Sequence, residues 1–482
     1  VTYGPKGGNV VIMDNYGVPS ITHDGVTVAE SITIEETPET AGQNVGIELI
    51  KQAATKLNSI VGDGTTTVTV LTYHIIDEAN KLIEQGVNPQ NLRKELEKAS
   101  ERLVSELEKL IEPIDDQDTR LKEVATVSAG DREIGNLIAS IVKTIGKDGV
   151  ITVEPGQSAG LESEIVEGYT FKNGYKSPLF VTDQSTQQAV IDEPVILLSK
   201  KTLNGAADIV PILNRLAEQK ITNIVVSAED IKGDSLKILL VNKIKGALNT
   251  VAVEATSDQI DDLAITTGAM IMSNETGINA ENASIEIVGR ADKVIVTDSQ
   301  TSVISGKGDP IHIKEHLESL KAQNLDKRYA DVSGKAAIIK VGGNSETEID
   351  EKKYRVDDAV AATKAALEHG IVAGGGVTLL HLASTLQGTT NGEKVLKEAL
   401  TQPIKKITDN AQLDSDAILT QVKKSKYGQG VDVLSEYNGK LIDLKDHGVI
   451  DPAQVTKESL LSSISIASTV ITIGALIVNE PK

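Results

Sequence analysis

Chemistry in this sequence concentrates first in the hexapeptide Gly62-Asp63-Gly64-Thr65-Thr66-Thr67. It falls between one long helical pattern and the start of the next, so it forms a helix N-terminus with free backbone N–H donors. Two glycines permit close approach, three hydroxyls can donate to phosphate oxygens, and Asp63 supplies a carboxylate suited to the Mg²⁺ that accompanies a nucleotide. It is not a Walker A loop, because GxxxxGK[ST] occurs nowhere in the chain. The hexapeptide also fits a plain capped helix start, since Asp and Thr favour N-caps. Both readings stay open on these residues alone.

Other segments add weaker signals. Gly4-Pro5-Lys6-Gly7-Gly8, Asp24-Gly25 and Gly374-Gly375-Gly376 could join the hexapeptide around one phosphate site, although each by itself reads as a turn, a loop or a packing contact. Asp357 and Asp358 fall near the beginning of a helical pattern. There they are either first-turn acids favoured by the helix dipole, or a pair of which one orients a water against a γ-phosphate. His312-Ile313-Lys314-Glu315-His316 matches the HxxEH zinc-protease pattern. Its charged surroundings and the lack of a third ligand among the other histidines favour a solvated helical face. No GxSxG nucleophile elbow occurs.

The elements that must position these residues can be read from hydrophobic spacing. Ile47, Ile50, Ala54, Leu57 and Val61, then Leu71, Ile75, Ile76 and Leu82, predict long helices over residues 45–112. Asn88 is expected to cap the next helix with Pro89 at its first position. A helix Arg132 to Ile145 leads to a short strand at residues 149–153. From about 165 to 335 the texture changes: residues 195–198, 223–226 and 250–253 are short apolar runs separated by helical segments, the pattern of parallel strands with crossover helices. After Lys335 helices return: residues 350–368, one opened by the triple glycine, two more, and a final apolar helix. A discontinuous helical base carrying an inserted α/β domain follows.

Composition bounds the function. At 482 residues the chain has room for roughly three domains. Forty per cent apolar and 24 % charged residues exclude collagen-like, disordered and multi-span membrane chains. Zero Cys removes disulfides, thiolate zinc sites and a cysteine nucleophile. A net charge of −21 with no visible basic patch argues against nucleic acid, and two Phe, nine Tyr and no Trp leave little for base stacking. The uncharged stretch Leu460 to Val478 is long enough to span a membrane, but its interleaved Ser and Thr predict a buried helix and no membrane partner. The sequence opens at Val1 without an initiator Met, so upstream residues are expected and the absence of a signal peptide decides nothing.

Taken in order, VTYGPKGGNVVI, SITHDGVTVA, GDGTTTVTVL, GVITVE, EKKYRVDDAVAATKAALEHGIVAGGGV and GVIDP resemble the group I chaperonins, the GroEL type of heat-shock protein, over essentially the whole chain. The resemblance implies a multidomain fold, all-α and α/β. A helical equatorial ATP-binding and ring-contact domain would span 1–108 and 369–482, and a small intermediate hinge domain 109–166 and 337–368. An inserted α/β apical domain would span 167–336 and bind clients and co-chaperonin. It implies an ATPase that uses ATP, Mg²⁺ and K⁺, captures unfolded polypeptide clients, and encloses them in a homo-oligomeric, sevenfold and double ring under a co-chaperonin lid. The compartment would be a bacterial-type cytoplasm or an organellar matrix.

Site residues follow from the same resemblance. Thr2, Tyr3, Gly4, Pro5 and His23 match nucleotide contacts; Asp63, Gly64, Thr65, Thr66 and Thr67 match the phosphate loop, with Asp63 on the metal. Gly375 matches the glycine over the nucleotide, and Asp432, Val433, Leu434 and Asp451 its base and ribose end. Asp358 matches the carboxylate that promotes hydrolysis, with Asp24 as its helper. Tyr175, Ser177, Leu179, Phe180, Val210, Leu213, Leu236, Leu240 and Val241 match the client surface; Val210 with Leu213, and Leu236 with Leu240 and Val241, share helix faces that would otherwise read as ordinary core stripes. The sequence departs from the family in several places. His23 replaces a Lys, Lys335 replaces a hinge glycine near Gly334 and Gly168, and Glu254-Ala255-Thr256-Ser257 replaces KAPGFGD. The helical stretch after His316 is shorter, while residues 430–434 and 440–443 look closer to group II. These changes motivate an alternative, a ring-forming scaffold with impaired ATP cycling.

Overall fold

The structure is a computed structural model. It describes every residue except 14–18, 36, 38, 39, 41, 147, 148, 157, 159, 185, 435–438 and 476–482, together with the side chain of Asp326. The chain divides into two compact units: residues 1–147, 153–162 and 340–482 form the first, and residues 148–152 and 163–339 the second.

The first unit is built mainly of helices. Gln43–Val61, Thr65–Glu84 and Pro89–Glu108 account for the long periodic stretch near its start. Asn88 caps the third as expected, its side chain accepting from the N–H groups of Gln90 and Asn91, with Pro89 where a missing donor costs nothing. Leu71, Ile75, Leu92, Leu96, Leu103 and Leu107 are fully buried along one apolar seam. The helix Ala453–Val470 packs into the same core, with Leu460 and Ile464 among the apolar residues and Ser459, Ser462, Ser463 and Ser468 all buried. The buried helix expected for the Leu460 to Val478 stretch is present only as far as Val470: residues 473–475 have left it and are exposed, and 476–478 lie outside the described part. No helix among the described residues is long and apolar enough to cross a membrane.

Two expectations for this unit change. Three helices, Asn391–Ala399, Gln402–Asn410 and Ser415–Lys423, stand between the glycine-opened Val377–Thr385 and the last helix, one more than the two expected; Pro403 opens the second of them and Asp414 caps the third. The helix carrying Asp357 and Asp358 is Glu346–His369, with Ser345 as its N-cap. The two acids therefore sit about three turns inside it, beyond the reach of the helix dipole.

In the second unit, Val195–Leu203, Asn223–Ile231 and Asn249–Glu254 pair in parallel, joined by the crossover helices Val210–Glu218 and Gly233–Ile244. This is the α/β texture read from the sequence. An antiparallel arm extends it: Gly289–Val296 pairs with Val195–Leu203 and with Thr301–Gly306, which pairs in turn with Leu161–Phe171. Phe180, Ile191, Ile196 and Val226 lie in the buried core. Thr256, inside the segment that departs from KAPGFGD, caps Ser257–Thr267 in a reciprocal box with Gln259, so the departure has a local structural use. Gly168 donates its N–H to the carbonyl of Gly334 at 3.1 Å, while Lys335 is exposed at the start of Lys335–Val341, a strand where helices were expected to resume. In the HxxEH segment His312 is exposed. His316 instead contacts the buried Asp262 at 2.7 Å, a carboxylate that Arg328 also holds at 2.6 Å.

Candidate functional site

The candidate site lies wholly in the first unit, where the turn between helices Gln43–Val61 and Thr65–Glu84 brings Asp63 and the threonines into place. Gly62 and Gly64 both have positive φ, 64° and 81°. A Cβ on Gly62 would come within 2.4 Å of the Ala361 side chain, and one on Gly64 within 2.6 Å of Val455. Side chains at either position would collide with the helices that close the turn. Gly64 is the N-cap of Thr65–Glu84, and no side chain caps that helix. The capped-start alternative therefore does not hold, and the first-turn amides remain available to a ligand.

Asp63 points back at its own turn. One oxygen accepts from the Gly64 N–H at 2.5 Å and the other from the Ser128 hydroxyl at 2.9 Å. Asp24 caps the helix Gly25–Ser31, accepting from the N–H groups of Val26 and Thr27 and from the Thr27 hydroxyl at 2.6 Å. A Cβ on Gly25 would sit 2.4 Å from the Thr66 hydroxyl oxygen and 2.7 Å from that of Thr65, so the Asp24-Gly25 turn lies directly against the threonine turn. The Tyr3 hydroxyl is 3.0 Å from that of Thr67, and Asn410 donates to the carbonyls of Tyr3 and Val1, anchoring the N-terminal segment. Thr2 is buried and Pro5 exposed.

The triple glycine joins the same neighbourhood. Ile371–Ala373 pairs with Ile450–Pro452, setting Val372 opposite Asp451, and a Cβ on Gly374 would lie 2.8 Å from an Asp451 carboxylate oxygen. Gly375 and Gly376 have φ of 62° and 78°. Gly375 and Gly430 both abut Leu444, which ties the turn to the segment holding Asp432, Val433 and Leu434. In that segment Asp432 accepts from the Leu434 N–H, Val433 packs on the local core and Leu434 is exposed.

Electrostatics ties the acids together. Asp63, Asp358 and Asp451 are half-buried, and among the described residues none has a Lys or Arg partner. Desolvation raises the pKa of each, and their mutual charges add to it. Asp63 is affected by Asp24, Asp451 by Asp63, and Asp358 by Asp63, Asp24 and Asp357. Asp358 is held well above the usual carboxylate range and Asp451 is pushed up to about 7. Desolvation also raises the Tyr3 phenol. Nearby, His23 contacts Asn9 at 3.3 Å, and desolvation followed by the charge of Arg355 lowers its pKa, so the imidazole is neutral near pH 7.

This donor set fits Mg²⁺. Among the described residues no three acid or imidazole groups converge tightly enough to cage an ion by themselves. Mg²⁺ characteristically takes one or two carboxylates and completes its shell with waters and phosphate oxygens. Asp63 beside uncapped amides offers that arrangement, and uncompensated carboxylates favour a cation.

A pH experiment tests the burial. Asp451 keeps its proton in the folded chain up to about 7, whereas the unfolded chain releases it near the ordinary 3.8. The unfolded state therefore binds fewer protons in between, and stability falls as pH rises through that window. His23, His74 and His381, all pushed down chiefly by burial, act in the opposite direction. The informative comparison is therefore parent against Asp451→Asn without nucleotide. The variant's thermal midpoint should exceed the parent's by several degrees more at pH 7.5 than at pH 5.5, on the scale of roughly 2–4 °C per kcal/mol for larger domains. A gap independent of pH would contradict the burial.

The structure thus brings Thr2, Tyr3, Asp24, residues 63–67, Gly375, Asp358 and Asp451 onto connected elements. Ser128 and Asn410, which position Asp63 and Tyr3, escaped the sequence reading: they lie 65 and 407 residues away from their partners, and no motif marks them. In the second unit the expected client residues divide. Leu179 and Val241 are exposed, and Tyr175, Ser177, Val210, Leu236 and Leu240 are partly buried. Phe180 is fully buried and Leu213 nearly so; for these two the ordinary core role is the correct one, because both pack into the second unit's apolar core.

Residues 1–481 match the TCP-1/cpn60 chaperonin family. Among solved structures the chain is similar to the chaperonin gp146 from the bacteriophage EL 2 (Pseudomonas aeruginosa), crystallised in the presence of ATP-BeFx. Identity is 19 %, the TM-score is 0.65, and the match covers 100 % of this chain and 95 % of that one. At that identity the likeness is one of fold.

Proposed function

We propose that this chain, which belongs to the TCP-1/cpn60 chaperonin family, is a subunit of an ATP-hydrolysing folding ring of the group I type. The observation that carries the reading is the uncapped turn at Gly62–Gly64 set among the half-buried carboxylates Asp63, Asp358 and Asp451. In this reading the amides and hydroxyls of Thr65, Thr66 and Thr67 hold the phosphates, and Tyr3, Gly4 and Gly375 bound the nucleotide. Asp432, Val433 and Leu434 lie toward the base, with Asp451 at the ribose. Asp63 would hold Mg²⁺, which supplies charge neutralisation at the phosphates; K⁺ would assist.

Asp358 is the base. Desolvation and its acidic neighbours raise its proton affinity, so it takes a proton from an attacking water more readily than an ordinary aspartate would. Asp24, fixed by its capping bonds, orients the same water. Because Asp358 rides on Glu346–His369 while the phosphates rest on another helix, hydrolysis depends on how that helix is seated. We divide the chain functionally into equatorial (1–108, 369–482), intermediate (109–166, 337–368) and apical (167–336) parts. The apical part captures unfolded polypeptides and a co-chaperonin lid on Leu179, Val241 and their partly buried neighbours. A double sevenfold ring in a bacterial-type cytoplasm completes the reading.

One observation favours a second reading. The neutral His23 brings no positive charge to the phosphates, which suits a ring scaffold that binds nucleotide weakly and cycles poorly. Steady-state ATP hydrolysis by the full-length protein, measured beside its native mass with and without ATP, separates the two. Slow Mg²⁺-dependent hydrolysis by a large ring is expected. A ring without hydrolysis supports the scaffold, and a small species without hydrolysis overturns both.

A further inference from the structure

Away from the carboxylates, the first unit contains a cavity of about 40 Å³ between the helix Val377–Thr385 and the end of Ser415–Lys423. His381, Ser384, Lys423, Ser425, Lys426 and Tyr427 give it its polar lining, and no carboxylate is among the residues that line it. In a chain with 69 acidic and 48 basic residues, a depression with two lysines and no acid runs against the composition. Lys423 and Lys426 are moreover unpaired among the described residues, whereas neighbouring Lys405 and Lys445 pair with Asp416 and Glu112. The volume holds about three waters at ~10–15 Å³ each, or one tetrahedral oxyanion.

The wall is rigid at one point. The Tyr427 ring lies 5.0 Å from the His381 ring, and its hydroxyl accepts from the Ala373 N–H at 3.1 Å. The Thr378 hydroxyl donates to the Ala373 carbonyl at 2.6 Å, so the 3.1 Å contact between the two hydroxyls has Tyr427 as donor. A closed ring of hydrogen bonds thus fixes Tyr427 to the residue before the triple-glycine turn.

We infer that this cavity is an oxyanion site that takes free inorganic phosphate, held by the ammonium groups of Lys423 and Lys426; the Ser384 and Ser425 hydroxyls beside them already donate to the carbonyls of His381 and Val422, at 2.6 and 2.8 Å. Charge-assisted hydrogen bonds from two exposed ammonium groups to a doubly charged phosphate give the site its affinity. The inference is independent of the nucleotide reading, since none of these residues belongs to that site.

The test is isothermal titration of inorganic phosphate into the full-length protein saturated with ADP and Mg²⁺ at low ionic strength. One phosphate per chain is expected, bound at least ten times more weakly by the Lys423→Gln/Lys426→Gln double variant and unchanged in Asp63→Asn. Both lysines are exposed, so the double variant should keep the parent's thermal midpoint. Equal binding by parent and double variant would overturn the inference. So would loss of binding in Asp63→Asn alone, which would place the phosphate in the nucleotide turn, or no binding up to about 10 mM, where a site with a Kd of about 1 mM would already be nine-tenths filled.

Discussion

Replacing Asp358 with Ala should abolish ATP turnover while leaving nucleotide binding intact. The four acids of the site differ in what already holds them. Asp24 is committed to a helix cap, and Asp63 accepts from Gly64 and Ser128. Asp358 has no hydrogen bond among the described residues, and its proton affinity is raised by desolvation and by Asp63, Asp24 and Asp357. A free, basic carboxylate is what abstraction of a proton from water requires, and loss of such a base costs about 10²- to 10⁴-fold in rate. Single-turnover hydrolysis should fall by that factor, and nucleotide affinity should stay within about threefold or tighten, because one uncompensated negative charge has left the site. Asp358→Asn, which keeps the shape but not the base, should behave alike. Turnover within threefold of the parent in both variants would remove Asp358 from the role.

Much of this arrangement was legible in the sequence because the physical constraint was local. A helix N-terminus flanked by glycines, the Asn88-Pro89 start and the helix Arg132–Ile145 each follow from neighbours within a few residues, and the structure has them at those positions. The missed features depend on distant partners. Ser128 reaches Asp63 from another helix, Asn410 holds Tyr3, and Tyr427 fixes Ala373; no spacing rule links such pairs. Asp357 and Asp358 were assigned to the wrong part of their helix because its polar first turns, beginning at Glu346, lack an apolar stripe. Ser345 was the available signal, an N-cap three residues before Glu348 in the capping pattern.

The adjacent residues Leu179 and Phe180 show the same limit at one peptide bond, and they carry the second large expectation. Both belong to the short 3₁₀ turn Pro178–Phe180, whose tight winding sends neighbouring side chains in different directions. Leu179 is 58 % exposed, whereas Phe180 is fully buried. Phe180→Ala removes a packed ring and leaves a cavity, at a cost of about 3–5 kcal/mol to the second unit. Its unfolding in urea should shift to markedly lower concentration while that of the first unit stays in place. Leu179→Ser should alter stability by no more than about 0.5 kcal/mol, as expected at an exposed position. If the apical surface captures clients, it should nonetheless weaken retention of an unfolded polypeptide and leave ATP hydrolysis unchanged. The reverse pattern, an unaltered second unit in Phe180→Ala with capture lost, would put Phe180 on the surface. Undiminished capture by both Leu179→Ser and Val241→Ser would take the client site elsewhere in the second unit. In the proposed capture surface only side chains that solvent reaches, such as Leu179 and Val241, could take part, and the buried Phe180 and Leu213 would act by holding those few in position.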